Sequence, residues 1–259
     1  MINRTDANLF KNLFQKIKAF DTSEQKRSHE EKFFSNVVGY SDIKKLLLKS
    51  IVSKDPVNIL LTGPPSSSKT VFLLEMLEGL HDTYFIDGSG MSGPGIIEHL
   101  FNNKTKYLLV DEIDKMKKID QAALLNVMET GILSETKLKG KTRQKSIKLW
   151  IFATSNDVER LSKPLRSRFV ELHLDQYTFD QFIEITRRLL RGKYQMTTSL
   201  SEKIGYAVWN QMDSKDIRDV INIAKLTKSL EDVDWLVQVQ VKYRKKATST
   251  MSASSVNPY

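Results

Sequence analysis

The chain of 259 residues contains no cysteine, which removes disulfides, thiolate metal sites and cysteine nucleophiles from consideration and fits a reducing compartment. No apolar run approaches the roughly 18 residues that a bilayer-spanning helix needs. The opening Met1-Ile2-Asn3-Arg4-Thr5-Asp6 begins no secretory signal, so a cytoplasmic protein without membrane attachment is expected. Histidine is scarce, and His29, His81, His99 and His173 lie scattered without H-E-x-x-H or any other metal spacing. There is no G-x-S-x-G nucleophile elbow. Acidic residues are outnumbered, 31 Asp+Glu against 40 Lys+Arg, for a formal net charge of +9. That balance favours anionic partners and also serves solubility. A hydrophobic fraction of 40% is ordinary for a globular chain, and the length suffices for one large domain or a core with a small second domain.

What is present is a phosphate cradle. Gly63-Pro64-Pro65-Ser66-Ser67-Ser68-Lys69-Thr70 follows the apolar run Val57-Asn58-Ile59-Leu60-Leu61 and precedes the apolar-periodic stretch from Val71 to Leu80. Strand, tight loop and helix in that order turn backbone N–H groups and a positive helix N-terminus toward nucleotide phosphates. In such a loop Lys69 reaches the β- and γ-phosphates, and the Thr70 hydroxyl coordinates Mg²⁺. One position departs from G-x-x-x-x-G-K-[ST]: Ser68 stands where the motif has glycine. Its β-carbon crowds a close phosphate approach, although a position that begins a helix is expected to have ordinary φ.

The pattern along the chain predicts α/β architecture. Residues 1–32 are polar and charged and read as a helix or linker, with a short helical pattern at Leu9, Phe10, Leu13, Phe14 and Ile17. Ile43, Leu46, Leu47 and Ile51 mark the first helix face of the folded part. Strands are expected at 57–61, 84–86, 107–110, 149–153 and 169–174, with helices at 70–80, 94–102 and 119–129. This alternation predicts a parallel sheet wrapped by helices over 33–176. Beyond Tyr177 only helical faces recur, at Phe182-Ile183-Leu190, Ile204-Val208 and Ile217-Val220-Ile221-Ala224, so a small all-helical domain is expected over 177–246. Trp235 to Tyr243 alternates in a way that fits strand as well as helix, and its neighbours favour helix. The Ser/Thr-rich 247–259 reads as a disordered tail.

Chemistry beyond binding is suggested by Tyr107-Leu108-Leu109-Val110-Asp111-Glu112, an apolar strand ending in two carboxylates. Asp111 suits Mg²⁺, and Glu112 suits polarisation of an attacking water. A further strand, Leu149-Trp150-Ile151-Phe152-Ala153, runs into Thr154-Ser155-Asn156, where an amide could orient that water. Pro164-Leu165-Arg166-Ser167-Arg168 places two arginines before the next strand, and Asp216-Ile217-Arg218-Asp219 opens a later helix.

In this order the parts resemble the AAA+ ATPases across roughly 33–245. The resemblance implies ATP and Mg²⁺ as cofactors and Gly63, Pro64, Pro65, Ser66, Ser67, Ser68, Lys69, Thr70 and Val71 around the phosphates. It implies adenine contacts from Val38 and Gly39, within Val37-Val38-Gly39-Tyr40. Thr70 and Asp111 would hold the metal, and Glu112, Asn156, Arg168 and Arg218 would serve hydrolysis. Arg168, with Arg166 as the alternative, would enter a neighbouring subunit's site, so the resemblance also implies a homo-oligomeric ring, usually of six. Arg218, on the helical lid, would contact the γ-phosphate of its own subunit.

Two segments bear on what such a machine would move. Ile132 to Leu149 reads as strand, basic turn over 139–145, and strand, with Lys137, Lys139, Lys141, Arg143, Lys145 and Lys148 against Glu135. The hairpin resembles one shared by RuvB-type branch-migration motors, replicative helicases, MoxR-type chaperones and Clp-type unfoldases. Gly88 to Gly95 occupies the position of a pore loop, with Met91 as its one large apolar side chain. The branch most similar is RuvB-type, although the winged-helix domain of those proteins is not expected in the stretch after the lid. DNA contacted by Lys139, Lys141, Arg143 and Lys145 is the favoured partner. A protein-remodelling chaperone gripping polypeptide through Met91 is the alternative, and a merely solvated lysine turn is a third reading. A loading factor is expected without being named by any residue.

Overall fold

The structure, a computed structural model, describes residues 33–136 and 142–243. The expected N-terminal helix or linker over 1–32, the tail, and Lys137, Lys139 and Lys141 of the hairpin lie outside the described residues. The described chain divides into two compact units between Gln176 and Tyr177.

In the first unit, α1 (Ser41–Ile51), β1 (Ile59–Thr62), α2 (Lys69–Gly79), β2 (Thr83–Asp87), α3 (Gly93–Asn102), β3 (Tyr107–Asp111), α4 (Lys118–Thr130), the hairpin β4 (Ile132–Thr136) and β5 (Thr142–Ser146), β6 (Trp150–Ser155), the one-turn α5 (Lys163–Arg166) and β7 (Val170–His173) follow one another. Five strands form a parallel sheet in the order β2-β3-β6-β1-β7. The central strands β1 and β6 are buried along their whole length, and β3 up to Asp111, which is why each reads as a continuous apolar run and not as an alternating one.

Alternation within those runs sorts side chains between two cores. Leu60, Leu108, Val110, Ile151 and Ala153 point to the face covered by Ile96 and Leu100 of α3 and Leu124 and Val127 of α4. Ile59, Leu61, Leu109 and Phe152 point to the other, against Leu47 and Ile51 of α1 and Phe72, Leu73 and Met76 of α2. Parallel strands with helices on both faces bring every strand's carboxyl end to one edge, where β1, β6 and β3 release the loops that carry the candidate site.

The second unit is helical: α6 (Phe179–Tyr194), α7 (Thr198–Asn210), α8 (Ile217–Leu226) and α9 (Leu230–Tyr243). Thr178 and Gln181 close a capping box on α6. Thr197 caps α7, and Asp216 caps α8 through its carboxylate. Phe182, Leu190, Ile204, Val208, Val220, Ala224 and Val233 are buried. The segment from Trp235 to Tyr243 is helix, its Leu236 and Val237 facing inward while Trp235 stays exposed.

The hairpin differs from expectation. Its second strand begins at Thr142, so Arg143 and Lys145 stand in β5 and not in a turn, paired with Glu135 and Leu133 respectively. The physical reason lies in their partners. Lys145 Nζ donates to the carbonyls of Leu100 at 2.9 Å, Phe101 at 3.2 Å and Asn103 at 3.4 Å, at the C-terminal end of α3, where a cation offsets the helix dipole. The Arg143 guanidinium lies 4.1 Å from the centroid of Phe101, with Nε donating to Glu135 at 2.5 Å. Two of the four cations expected to face DNA thus serve internal packing.

Candidate active site

The phosphate loop leaves β1 at Gly63, whose φ of 139° suits glycine and whose missing β-carbon leaves room for the Leu174 carbonyl. Ser66 and Ser68 hold φ of 66° and 65°. Left-handed residues alternating with ordinary ones turn successive N–H groups inward into an anion-binding nest. The expectation of ordinary φ at Ser68 is corrected here: the residue caps α2 from the left-handed region, and its hydroxyl makes no capping bond. Glycine would adopt that φ without strain; serine keeps it at a cost.

Lys69, the first residue of α2, folds back into the loop. Its Nζ donates to the carbonyls of Gly63 at 2.8 Å and Pro64 at 2.6 Å and to Ser67 Oγ at 3.1 Å. Burial pulls its pKa down to about 8, against the opposing pull of Asp111, Asp114 and Glu112. The helix continues through Thr70 and half-buried Val71. The loop Val37-Val38-Gly39-Tyr40 is fastened beside α2 by the Tyr40 ring against Phe72 and by Tyr40 Oη donating 2.7 Å to the Asp175 carbonyl.

Thr70 Oγ1 lies 3.0 Å from both carboxylate oxygens of Asp111. Neighbouring oxygens in an octahedral Mg²⁺ shell of about 2.1 Å radius are about 3.0 Å apart. The hydroxyl and the carboxylate therefore fit adjacent positions on one such ion, and their hard-oxygen chemistry suits it.

Thr154, at the buried end of β6, ties the two carboxylates together. Its Oγ1 donates to Asp111 Oδ1 at 2.5 Å and accepts from the Glu112 N–H at 2.9 Å. Glu112 itself is left-handed, φ 52° and ψ 49°, at the start of a 3₁₀ turn over Ile113–Lys115. Asn156 Nδ2 donates to Glu112 Oε1 at 3.3 Å, and its N–H donates to buried Asp114 Oδ1 at 3.2 Å. Lys115 Nζ pairs with Glu112 Oε2. Lys69, Thr70, Asp111, Glu112 and Asn156 are thus brought together at one edge of the sheet.

The arginines stand elsewhere. Arg168 pairs with Glu129 at 2.5 Å from the end of α4. Arg166 is forked onto Glu171 at 2.9 and 3.2 Å and also reaches Glu159. Arg218 belongs to the second unit, where it opens α8 and pairs with Asp216 at 2.8 Å. Met91 does not stand out from its loop: it packs on the α3–α4 core and accepts a contact from Tyr84 Oη at 3.8 Å.

Sequence reasoning missed Thr154, Asp114 and Lys115 as members of the cluster. Thr154 had a usable signal, a hydroxyl at the last buried position of an apolar strand. The other two become visible only when the turn after Glu112 is seen to be 3₁₀.

The parallel sheet and the loop after β1 together define the fold of P-loop nucleoside triphosphatases. Residues 59–175 match the model of the ATPase family associated with various cellular activities (AAA). No curated protein matches the chain by sequence. Among solved structures, RuvB of Thermotoga maritima, described as a Holliday junction branch migration motor, aligns with a TM-score of 0.59 at 20% identity, over 78% of this chain and 70% of that one. A point mutant of RuvB aligns at 0.61 with the same identity and coverage. Another aligns at 0.59 and 18% identity, over 80% of this chain and 72% of the other. The likeness is one of fold.

Proposed function

We propose that this chain is the subunit of an ATP-hydrolysing ring motor, of six subunits in the manner of the AAA+ ATPases it resembles, that translocates along or remodels DNA. The observation that carries hydrolysis is the continuous network Thr70–Asp111–Thr154–Glu112–Asn156, which fixes a metal-binding pair and a second carboxylate in one geometry.

Thr70 and Asp111 would hold Mg²⁺, which would supply positive charge against the charge that develops on the phosphates. The chain's own residues do the rest. Lys69 exchanges neutral carbonyl acceptors for anionic phosphate oxygens, a stronger charge-assisted bond. Thr154 holds Asp111 and the Glu112 backbone in register, and the Glu112 carboxylate takes the proton of the attacking water while Asn156 orients that carboxylate. Val38 and Gly39 lie along the adenine side. Arg168 is the residue offered to a neighbour's γ-phosphate, because it is held by one carboxylate where Arg166 is held by two. Arg218 belongs to the lid and answers to the nucleotide of its own subunit.

DNA as the track is supported by the charge of the hairpin and by the fold shared with a branch-migration motor. The polypeptide-gripping alternative rests on Met91, which packs inward.

The test has two stages. Lys69→Ala should lose nucleotide-induced thermal stabilisation, whereas Glu112→Gln should keep it and lose turnover; a Glu112→Gln enzyme with normal turnover overturns the catalytic assignment. ATPase activity should then rise with duplex or forked DNA, less so at higher salt, and not with an unfolded protein. The reverse preference would make the chain a protein remodeller.

A further inference from the structure

We infer that the Ser68 hydroxyl is a phosphate ligand, one that fastens substrate and product alike to the loop and so sets how long the diphosphate stays bound. The inference rests on the nucleotide reading proposed above and deepens it, by giving a task to the residue at which the loop departs from its motif.

A serine in front of a helix ordinarily acts as its cap. It takes an extended backbone, from which its oxygen accepts the N–H two or three residues on. Ser68 stands at the N-cap of α2 with φ 65° and ψ 8°, and its side chain makes no such bond. Capping therefore does not account for the serine. Bonding inside the loop does not either, because that falls to its neighbour: Ser67 Oγ donates to the Pro64 carbonyl at 2.8 Å and accepts from Lys69 Nζ at 3.1 Å. Among the described residues the half-buried Ser68 offers its hydroxyl to no partner. A left-handed residue kept at a cost, with a polar group uncommitted, is the kind of outlier that marks a functional site.

Around that hydroxyl lies a set of donors without acceptors. The first bond of α2 is Phe72 N–H to the Ser68 carbonyl at 3.2 Å, and among the described residues no acceptor meets the N–H groups of Ser67, Ser68, Lys69 and Thr70. An ionised phosphate oxygen accepts and cannot donate, so a hydroxyl beside those N–H groups suits it as one more donor. The β-carbon of Ser68 keeps a phosphate from the close backbone approach that glycine allows. The hydroxyl, one bond beyond that carbon, makes good the loss with an O–H···O⁻ bond of about 2.5–2.7 Å.

Position decides which phosphates are held. The backbone of a phosphate loop cradles the α- and β-phosphates, whereas its lysine reaches the β- and γ-phosphates. A bond from Ser68 to the former pair is present in the ATP complex and in the ADP complex alike. Such uniform binding deepens both states and leaves the barrier to the chemical step unchanged. Its consequence is slow release of ADP.

The experiment is titration calorimetry of the full chain with ADP and with a non-hydrolysable ATP analogue, joined to stopped-flow release of a fluorescent ADP and to steady-state kinetics. Ser68→Ala keeps the β-carbon and removes only the hydroxyl. It should weaken both nucleotides by the same factor, about tenfold, and speed ADP release to match. KM for ATP should rise with kcat not lowered. The urea midpoint of the nucleotide-free chain should stay at its wild-type value, because no cap is lost. Wild-type affinity for both nucleotides in Ser68→Ala overturns the inference. So does a loss confined to the ATP analogue, which would put the hydroxyl on the γ-phosphate, or a loss that comes with a lowered urea midpoint, which would make it a structural effect. A wild-type chain that binds neither nucleotide overturns the nucleotide reading itself, and calorimetry shows that before any variant is made.

Discussion

Ser68 is the residue at which this phosphate loop departs from its motif, and its left-handed φ of 65° makes the departure measurable. A left-handed non-glycine residue costs about 1–2 kcal/mol, and glycine returns about 0.5–1 kcal/mol of that through the greater freedom of the unfolded chain. Ser68→Gly should therefore stabilise the protein by up to about 1 kcal/mol, read as a higher midpoint in thermal or urea unfolding, with turnover kept or raised. Lys69 makes a second prediction. Its folded pKa of about 8 lies below the ordinary 10.5, so between those values the folded nucleotide-free chain binds fewer protons than the unfolded one. Its stability contribution then rises with pH across that window, and the cost of burying the charge is fully present below about 8. Phosphate oxygens favour the charged form, so ATP binding should take up a proton near pH 8 and weaken as pH climbs above it. Calorimetry in two buffers of different ionisation enthalpy checks both the uptake and its sign.

Among the elements, the β4–β5 hairpin is where structure changes the experiment. Lys145 caps the carbonyl end of α3, so Lys145→Met should cost about 0.5–1.5 kcal/mol in stability, visible in denaturant unfolding before any DNA is added. A charge-removal series including Lys145 or Arg143 would confuse weakened packing with weakened phosphate binding. The informative variant is Lys139→Ala with Lys141→Ala. It should leave stability unchanged and reduce the log–log salt dependence of DNA binding by roughly 0.7–0.9 for each phosphate no longer neutralised, as read by fluorescence anisotropy. An unaltered slope removes the hairpin from the DNA interface. Helices and strands were largely legible beforehand because their signals are local: β3 and β6 as apolar runs, α2 as an apolar-periodic stretch behind a glycine loop and α3 as a helical pattern over 94–102. The second hairpin strand was not, because Arg143 and Lys145 look like solvated charges until Phe101 and the end of α3 are placed beside them.

At the scale of the whole molecule, the proposed ring makes a catalytic residue of a surface one. Arg168→Ala should lower turnover about 10³-fold or more, the scale of an arginine finger, with ATP affinity nearly intact. Mixing Arg168→Ala with Glu112→Gln subunits should restore part of the activity, because some interfaces then pair an intact finger with an intact carboxylate. Absence of rescue in every mixture, with assembly verified by light scattering, would make Arg168 a structural partner of Glu129 and promote Arg166.

The amino-acid sequence by itself determined the sheet-and-helix order, the phosphate loop and the carboxylate pair, because these depend on the spacing of neighbouring residues and on periodicity. It also placed Asn156 after its strand. Only the tertiary structure decided that Thr154 joins Asp111 to Glu112 across 43 and 42 residues. The same holds for the left-handed Ser68, for Met91 turning inward, and for Lys145 closing a helix 45 residues away. Hydrogen bonds and φ values of this kind are set by which strands become neighbours in a parallel sheet. That choice depends on burial over the whole domain and leaves no local trace in the chain.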